Sequence, residues 1–278
     1  MKNIKDKLKK ILIKYNLVFV IKIKQSIYRI INNFLHKFLI ILAKYFYHYH
    51  MEHLICNYNN DFMHEINFVD SYEKAMSVDP SPGWSSGRWE KNQFGAWILY
   101  TTLHFSKNAL TLEGDLVECG TYKGRHSIAI LNYIDWNTSR NKKKFYLFDT
   151  FEGLSNKISD NDDISSYEHA YKDYDLETVQ SNFSKYDGIE IIKGVVPFSL
   201  NQADITKVSF LHIDMNSAKP EVEALDYFLP LMVKGGAVVL DDYGQIGHEK
   251  QKKALDAYCK QHGKLIYTIP TGQGLIIT

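Results

Sequence analysis

Cysteine is scarce in this 278-residue chain, and the three present, Cys56, Cys119 and Cys259, show neither paired nor CxxC spacing. Neither a disulfide framework nor a zinc site is indicated, and a reducing cytoplasm is the simplest home. Long apolar runs are also missing. The charge-free stretches Tyr15 to Ile21 and Phe38 to Ala43 fall far short of the roughly 20 apolar residues a membrane-spanning helix needs. Small residues come late, the first alanine being Ala43 and the first glycine Gly83, so no signal-peptide cleavage site is expected. Acids are nearly absent from residues 1–50, where eleven Lys or Arg face Asp6 alone and give +10. Since the whole chain carries +1, residues 51–278 carry −9. The near-neutral total hides a basic arm joined to an acidic body. No nucleic-acid motif accompanies the basic charge, so no nucleic-acid partner is expected.

The arm has a helical pattern. Ile27, Ile31, Phe34, Phe38 and Ile41 share one face, while Arg29, Asn33, His36, Lys37 and Lys44 lie opposite. A basic amphipathic helix suits peripheral contact with anionic lipid through residues 1–50, at the inner face of a membrane, or packing on a protein surface. We divide the chain into this arm (1–60), a helical lid or entry region (61–110) and a main domain (111–278). Within the entry region Asn92 to Leu110 reads as a helix, and Ser81 to Glu90, with Trp84 and Trp89, as a loop beside the site. The histidines His48, His50 and His53 suit packing better than metal binding, having no second cluster to complete a site. The stretch Ser155 to Tyr174 reads as a polar flexible loop over the pocket, with Tyr167, Tyr171 and Tyr174 available to stack on a ligand. Its SDNDD run lacks the glycine a calcium loop needs.

From about residue 111 apolar strands alternate with amphipathic helices, the pattern of a mostly parallel sheet covered on both faces. Strands are predicted at Asp115–Cys119, Phe145–Phe148, Ile189–Lys193, Val208–Ile213, Ala237–Leu240, Lys264–Ile269 and Leu275–Thr278. The last two are separated only by PTGQG, too short for a crossover helix, so they should pair antiparallel. Carboxylates close several strands. Asp214 ends VSFLHID, and Asp241 and Asp242 end GGAVVLDD. Ligands of open α/β sheets bind outside the carboxyl ends of strands. Clustered acids there resist ionisation unless a cation offsets them, and Mg²⁺ is the natural hard cation. The same acids also suit a helix cap and a solvated turn.

The first strand and turn, GDLVECGTYKGRHS, place Gly120 and Gly124 where a tight strand-to-helix turn and a close ligand approach are possible. A dinucleotide fingerprint requires GxGxxG, but Glu118 holds the first glycine position. That acid would repel a pyrophosphate and suits a ligand bearing hydroxyls, an ammonium or a sulfonium, which fits S-adenosylmethionine better than NAD. Asp149 ends the second strand in YLFDTFEG, where an acid can accept both ribose hydroxyls. A helix-entry acid and a turn former are the plainer readings of these two residues.

The phrases GDLVECGTYKG, YLFDTFEG, FLHIDMNSAKPEVEAL, KGGAVVLDDYG and PTGQGLI, in this order, resemble the macrocin O-methyltransferase family of class I methyltransferases. The resemblance covers about residues 90 to 278 and leaves out the arm. It implies an α/β Rossmann-like fold, with a seven-stranded sheet whose last strand is antiparallel. It further implies S-adenosylmethionine as methyl donor, Mg²⁺, and a hydroxyl acceptor on a sugar, surface glycan or secondary metabolite. A homo-oligomer is expected. By position, Asp214, Asp241 and Asp242 are the implied metal ligands. Glu118, Gly120, Ser127 and Asp149 are the implied donor contacts, with Tyr122, Gly124 and Thr150 in the same two turns. One departure stands out. A family member with an assigned base has a second Asp two residues after the first ligand, whereas this chain has Asn216. An amide cannot take the proton, so Asn216 would orient the acceptor while Lys219, His248 or Tyr243 is the nearby group to consider as base.

Overall fold

The structure, a computed structural model, describes residues 59–79, 95–167 and 174–278. The basic arm, the His48–His53 cluster, Cys56, Trp84, Trp89 and Tyr171 lie outside these residues. From Asn60 to Thr278 the chain forms one compact unit.

Seven strands make one sheet: β1 (Asp115–Cys119), β2 (Phe145–Asp149), β3 (Ile189–Lys193), β4 (Val208–Ile213), β5 (Met232–Leu240), β6 (Tyr267–Thr268) and β7 (Gly274–Ile277). Their order is β3-β2-β1-β4-β5-β7-β6. All neighbours among the first five are parallel, while β7 runs antiparallel to both β5 and β6. This is the α/β arrangement expected from the sequence. The chain order reverses between β1 and β4, a switch point where the crossover helices part to opposite faces and leave a crevice at the strand ends.

The helices are α1 (Ile66–Val78), α2 (Ala96–Ala109), α3 (Arg125–Tyr133), α4 (Trp136–Ser139), α5 (Asn161–Tyr167), α6 (Leu176–Phe183), α7 (Ala218–Phe228) and α8 (Glu249–Gln261). Helices α1 and α2 pack on α3, and α7 packs on α8. Strands covered on both faces read as continuous apolar runs, because successive side chains point to opposite faces and neither faces water. Thus Val117, Phe148, Leu211, Val238 and Ile276 join Leu225, Phe228 and Leu255 in one buried cluster. Their strand neighbours Leu116, Leu147, Phe210 and Val239 are equally buried. Each such side chain contributes about 1.5–3 kcal/mol relative to exposure.

Boundaries differ from the prediction where hydrophobicity is a poor guide. β5 begins five residues early, at Met232, because the glycines at 235 and 236 are carried inside the strand. β6 shrinks to Tyr267–Thr268, an exposed edge pair, since only those residues find partners on β7. The SDNDD run is not all loop. Residues 161–167 form α5, and acids in a first helical turn are favoured by the partial positive charge of its free amides.

Candidate active site

The ends of β2, β1, β4 and β5 are stitched together just beyond the strands. Gly120 donates to the Phe148 carbonyl at 2.8 Å, Asp214 to Cys119 at 2.9 Å, and Asp241 to Ile213 at 2.9 Å. The turn after β1, the turn after β2 and the acids after β4 and β5 therefore occupy one edge.

Gly120 has φ +93°, and a Cβ there would sit 1.9 Å from the Asp214 carbonyl oxygen. Its bareness admits the neighbouring strand end. Gly124, at φ +91°, likewise faces the Phe183 ring, where a Cβ would come within 2.6 Å of the ring edge. Between them Tyr122 adopts φ +50°, and its backbone amide donates to Asp149 Oδ2 at 2.7 Å. Asp149 Oδ1 accepts from the Phe151 amide at 2.7 Å and from the Tyr174 hydroxyl at 3.1 Å. Thr150 turns its hydroxyl to the Gly153 carbonyl at 2.6 Å. Burial raises the Asp149 carboxyl even so, although these bonds oppose the rise. Asp149 thus clamps two turns together and leaves further lone pairs for a ligand. Tyr122 and Tyr174 meet edge to face, with centroids 4.6 Å apart.

Glu118 is a register partner of His212 across β1 and β4, and both are almost fully buried. Its two oxygens accept from the Ser127 hydroxyl and meet His212 Nδ1 at 3.0 Å. Ser127 is itself fully buried, and its hydroxyl is spent on Glu118. His212 Nε2 lies 3.3 Å from Asp241 Oδ1, which also accepts from Gln273 Nε2 at 2.9 Å. Burial alone would neutralise His212, but its bonds to Asp241 and Glu118 outweigh that and hold it charged, up to about 10. Burial pushes His126, stacked near it at 4.7 Å, down to about 3. Burial opposes the ionisation of Asp241, and the facing His126 and His212 rings with the bond from Gln273 draw it below the usual carboxylate range.

Asp214 and Asp242 behave oppositely. Burial lifts both carboxyls well above the usual range, and Asp241 adds repulsion to each. An oxygen-only set of acids that repel one another is the chemistry a hard divalent cation neutralises, so these residues fit Mg²⁺. Their oxygens are not drawn into a closed set. Among the described residues the trio whose ligand atoms fall within 4.8 Å is His126, His212 and Asp241. That trio is explained by ring stacking and by the carboxylates on His212.

Around the acids, Asn216 adopts φ +54° and donates weakly to Asp214 at 3.4 Å. His248 Nδ1 stands 3.6 Å from Asp242 Oδ2, and its Nε2 is 3.1 Å from the Tyr167 hydroxyl. Lys219 is exposed on the first turn of α7, the position of a solvated helix-entry cation rather than of a base. Tyr243 turns away and donates to Asp256 at 2.5 Å. Sequence reasoning missed His212, Gln273 and Glu221, and it offered Tyr167 for stacking on a ligand rather than for its contact with His248. Glu221 is buried on α7, accepts from Gln251 at 3.0 Å, and burial with the Asp214 charge pushes it up to about 8. A histidine inside the apolar run FLHI was the one readable signal.

A parallel sheet whose order reverses between β1 and β4, with acids beside the ends of β1, β2, β4 and β5, is a Rossmann-like α/β fold. The chain belongs to the macrocin O-methyltransferase family, whose model matches residues 106–267. A curated relative is 28% identical over 142 residues, 47% of this chain and 53% of its own length. It is the 8-demethyl-8-(2,3-dimethoxy-alpha-L-rhamnosyl)-tetracenomycin-C 4'-O-methyltransferase of Streptomyces olivaceus. The chain thus spans about half the length of the curated relative it matches. Among solved structures, the O-methyltransferase NovP superposes with TM-score 0.61 at 20% identity, covering 76% of this chain and 96% of NovP. CalS11, a calicheamicin methyltransferase, superposes with TM-score 0.50 at 12% identity, covering 75% and 91%. These two likenesses concern the fold.

Proposed function

We propose that the protein transfers a methyl group from S-adenosylmethionine to a hydroxyl of a sugar-bearing small molecule or a glycan. The observation that carries this reading is the gathering of Glu118, Asp149, Asp214, Asp241 and Asp242 at one switch-point edge of a family sheet. Glu118 holds the donor's ammonium, and Asp149 its ribose hydroxyls, with Tyr122, Thr150 and the glycine turn shaping the donor wall. Asp214, Asp241 and Asp242 would hold Mg²⁺. When bound, the cation supplies Lewis-acid polarisation of the acceptor hydroxyl. The new bond forms between the acceptor oxygen and the methyl carbon as the bond to sulfur breaks, and the donor leaves as the neutral thioether. Holding donor and acceptor in line is the main task of the chain. Asn216 orients the acceptor. His248, beside Asp242 and Tyr167, takes the hydroxyl proton in place of the missing Asp.

Residues 1–50 are proposed to bring the enzyme to an anionic membrane surface on the cytoplasmic side, and the protein to act as a homo-oligomer. Among the described residues no helix is long and apolar enough to cross a membrane. The activity is tested by release of S-adenosylhomocysteine from a panel of glycosylated acceptors and nucleotide sugars, with and without EDTA. Turnover that ignores EDTA rejects the role of the cation. Donor binding without turnover on any acceptor marks a donor-binding scaffold instead.

A further inference from the structure

His212 belongs to neither the donor wall nor the cation ligands, yet it stands between them. Its ring is fully buried on β4, with Nδ1 3.0 Å from Glu118 Oε1 and Nε2 3.3 Å from Asp241 Oδ1. The two carboxylates thus share one ring, so a change at either of them is felt by the bond the ring makes to the other. The sheet enforces this contact. Glu118 and His212 are register partners, and Asp241 follows by two residues Val239, the partner of His212 on β5, which keeps all three on one face. The outer ends are pinned too, by Ser127 on Glu118 and by Gln273 on Asp241. The result is a buried row running from α3 through β1, β4 and the residue after β5 to the residue before β7. Removing one member of such a row leaves an uncompensated charge in the interior.

We propose that His212 is a positioning residue that couples the donor site to the cation site through the two carboxylates it shares. A cation arriving at one carboxylate weakens the bond between that carboxylate and the shared ring, and the ring's bond to the other carboxylate tightens in turn, which makes the other less negative toward its own ligand. The donor presents an ammonium and the second site a divalent cation, so each weakens the hold on the other. This rests on the donor and cation reading given above. A purely structural His212 would affect stability and leave the two affinities independent.

Calorimetric titration of the full chain with S-adenosylhomocysteine, in EDTA and in saturating Mg²⁺, reads the coupling directly. The expected result is binding about 10-fold weaker with Mg²⁺ in the wild type, and a ratio below about 2 in His212→Gln. A wild-type chain that binds no S-adenosylhomocysteine, or no Mg²⁺, overturns the functional reading and this inference with it. Both ligands binding with affinities that ignore each other overturns the coupling alone, as does a full ratio retained in His212→Gln. If circular dichroism shows that His212→Gln does not fold, Glu118→Gln removes the other end of the bridge. There the ratio, whatever the absolute affinity, should also fall below about 2, and an unchanged ratio overturns the proposal.

Discussion

The two halves of the site are built on opposite principles. On the β1–β2 side, the polar groups around Asp149 and Glu118 are tied to one another by backbone amides and hydroxyls. On the β4–β5 side, Asp214 and Asp242 sit buried beside Asp241 with their ionisation opposed. One half is preorganised; the other keeps carboxyls whose ionisation burial and mutual repulsion oppose. Preorganised dipoles cost no rearrangement at the moment of reaction, whereas a repelling set of acids gains stability when its ligand arrives.

The contrast can be broken first at the acids. Asp241→Asn is expected to lower kcat/KM by about 100-fold or more while the protein remains folded, checked by steady-state turnover and circular dichroism. A change under about 5-fold would remove Asp241 from the machinery. On the opposite side the expected damage is to folding. Gly120→Ala drives a Cβ into the Asp214 carbonyl and should cost about 3 kcal/mol or more in urea unfolding. Gly124→Ala clashes with the Phe183 ring, a side chain that can shift, so its loss should be smaller; adding Phe183→Leu should recover the clash but not the strain of an alanine at φ +91°.

The pH dependence sharpens the same comparison. Burial, with Asp214 adding repulsion, raises Glu221 from 4.5 to about 8, and the bonds of His212 to Asp241 and Glu118 raise it from 6.5 to about 10 despite burial. In both cases the folded chain holds a proton that the unfolded chain has released, so stability falls as pH rises through each window. Asp214 and Asp242, also raised, add in the same direction. In EDTA, Tm should therefore drop by several degrees between pH 5 and pH 9 in a thermal-shift series, and Mg²⁺ should flatten the slope. A Tm that rises with pH would show that the acids are not held in opposition. The smallest effect belongs to Lys219→Ala. This exposed residue should change turnover by less than about 2-fold and stability by less than about 0.5 kcal/mol.

The strands and strand-end acids could be read from the chain because a sheet covered on both faces writes itself as apolar runs, and a carboxylate ending such a run is conspicuous. The bond partners of those acids could not. Ser127 looks like a helix-entry hydroxyl, and its burial on Glu118 depends on how α3 packs. His212, Gln273 and Asp241 meet because of register between β4, β5 and β7, which no local pattern encodes. Gly120 was recognised as necessary, but that its closest neighbour would be Asp214, ninety-four residues further on, no local pattern could tell. Likewise α5 hides in a polar run whose acids suit a helix start as well as a loop.

The central claim is that the acids after β4 and β5 hold a divalent cation in a donor-binding fold. Electron paramagnetic resonance of Mn²⁺ titrated into the full chain with S-adenosylhomocysteine present tests it most directly. The account predicts one bound ion per chain, displaced by Mg²⁺ and lost in both Asp214→Asn and Asp242→Asn. Mn²⁺ that stays free in the wild type, or binds equally well to both variants, would contradict it.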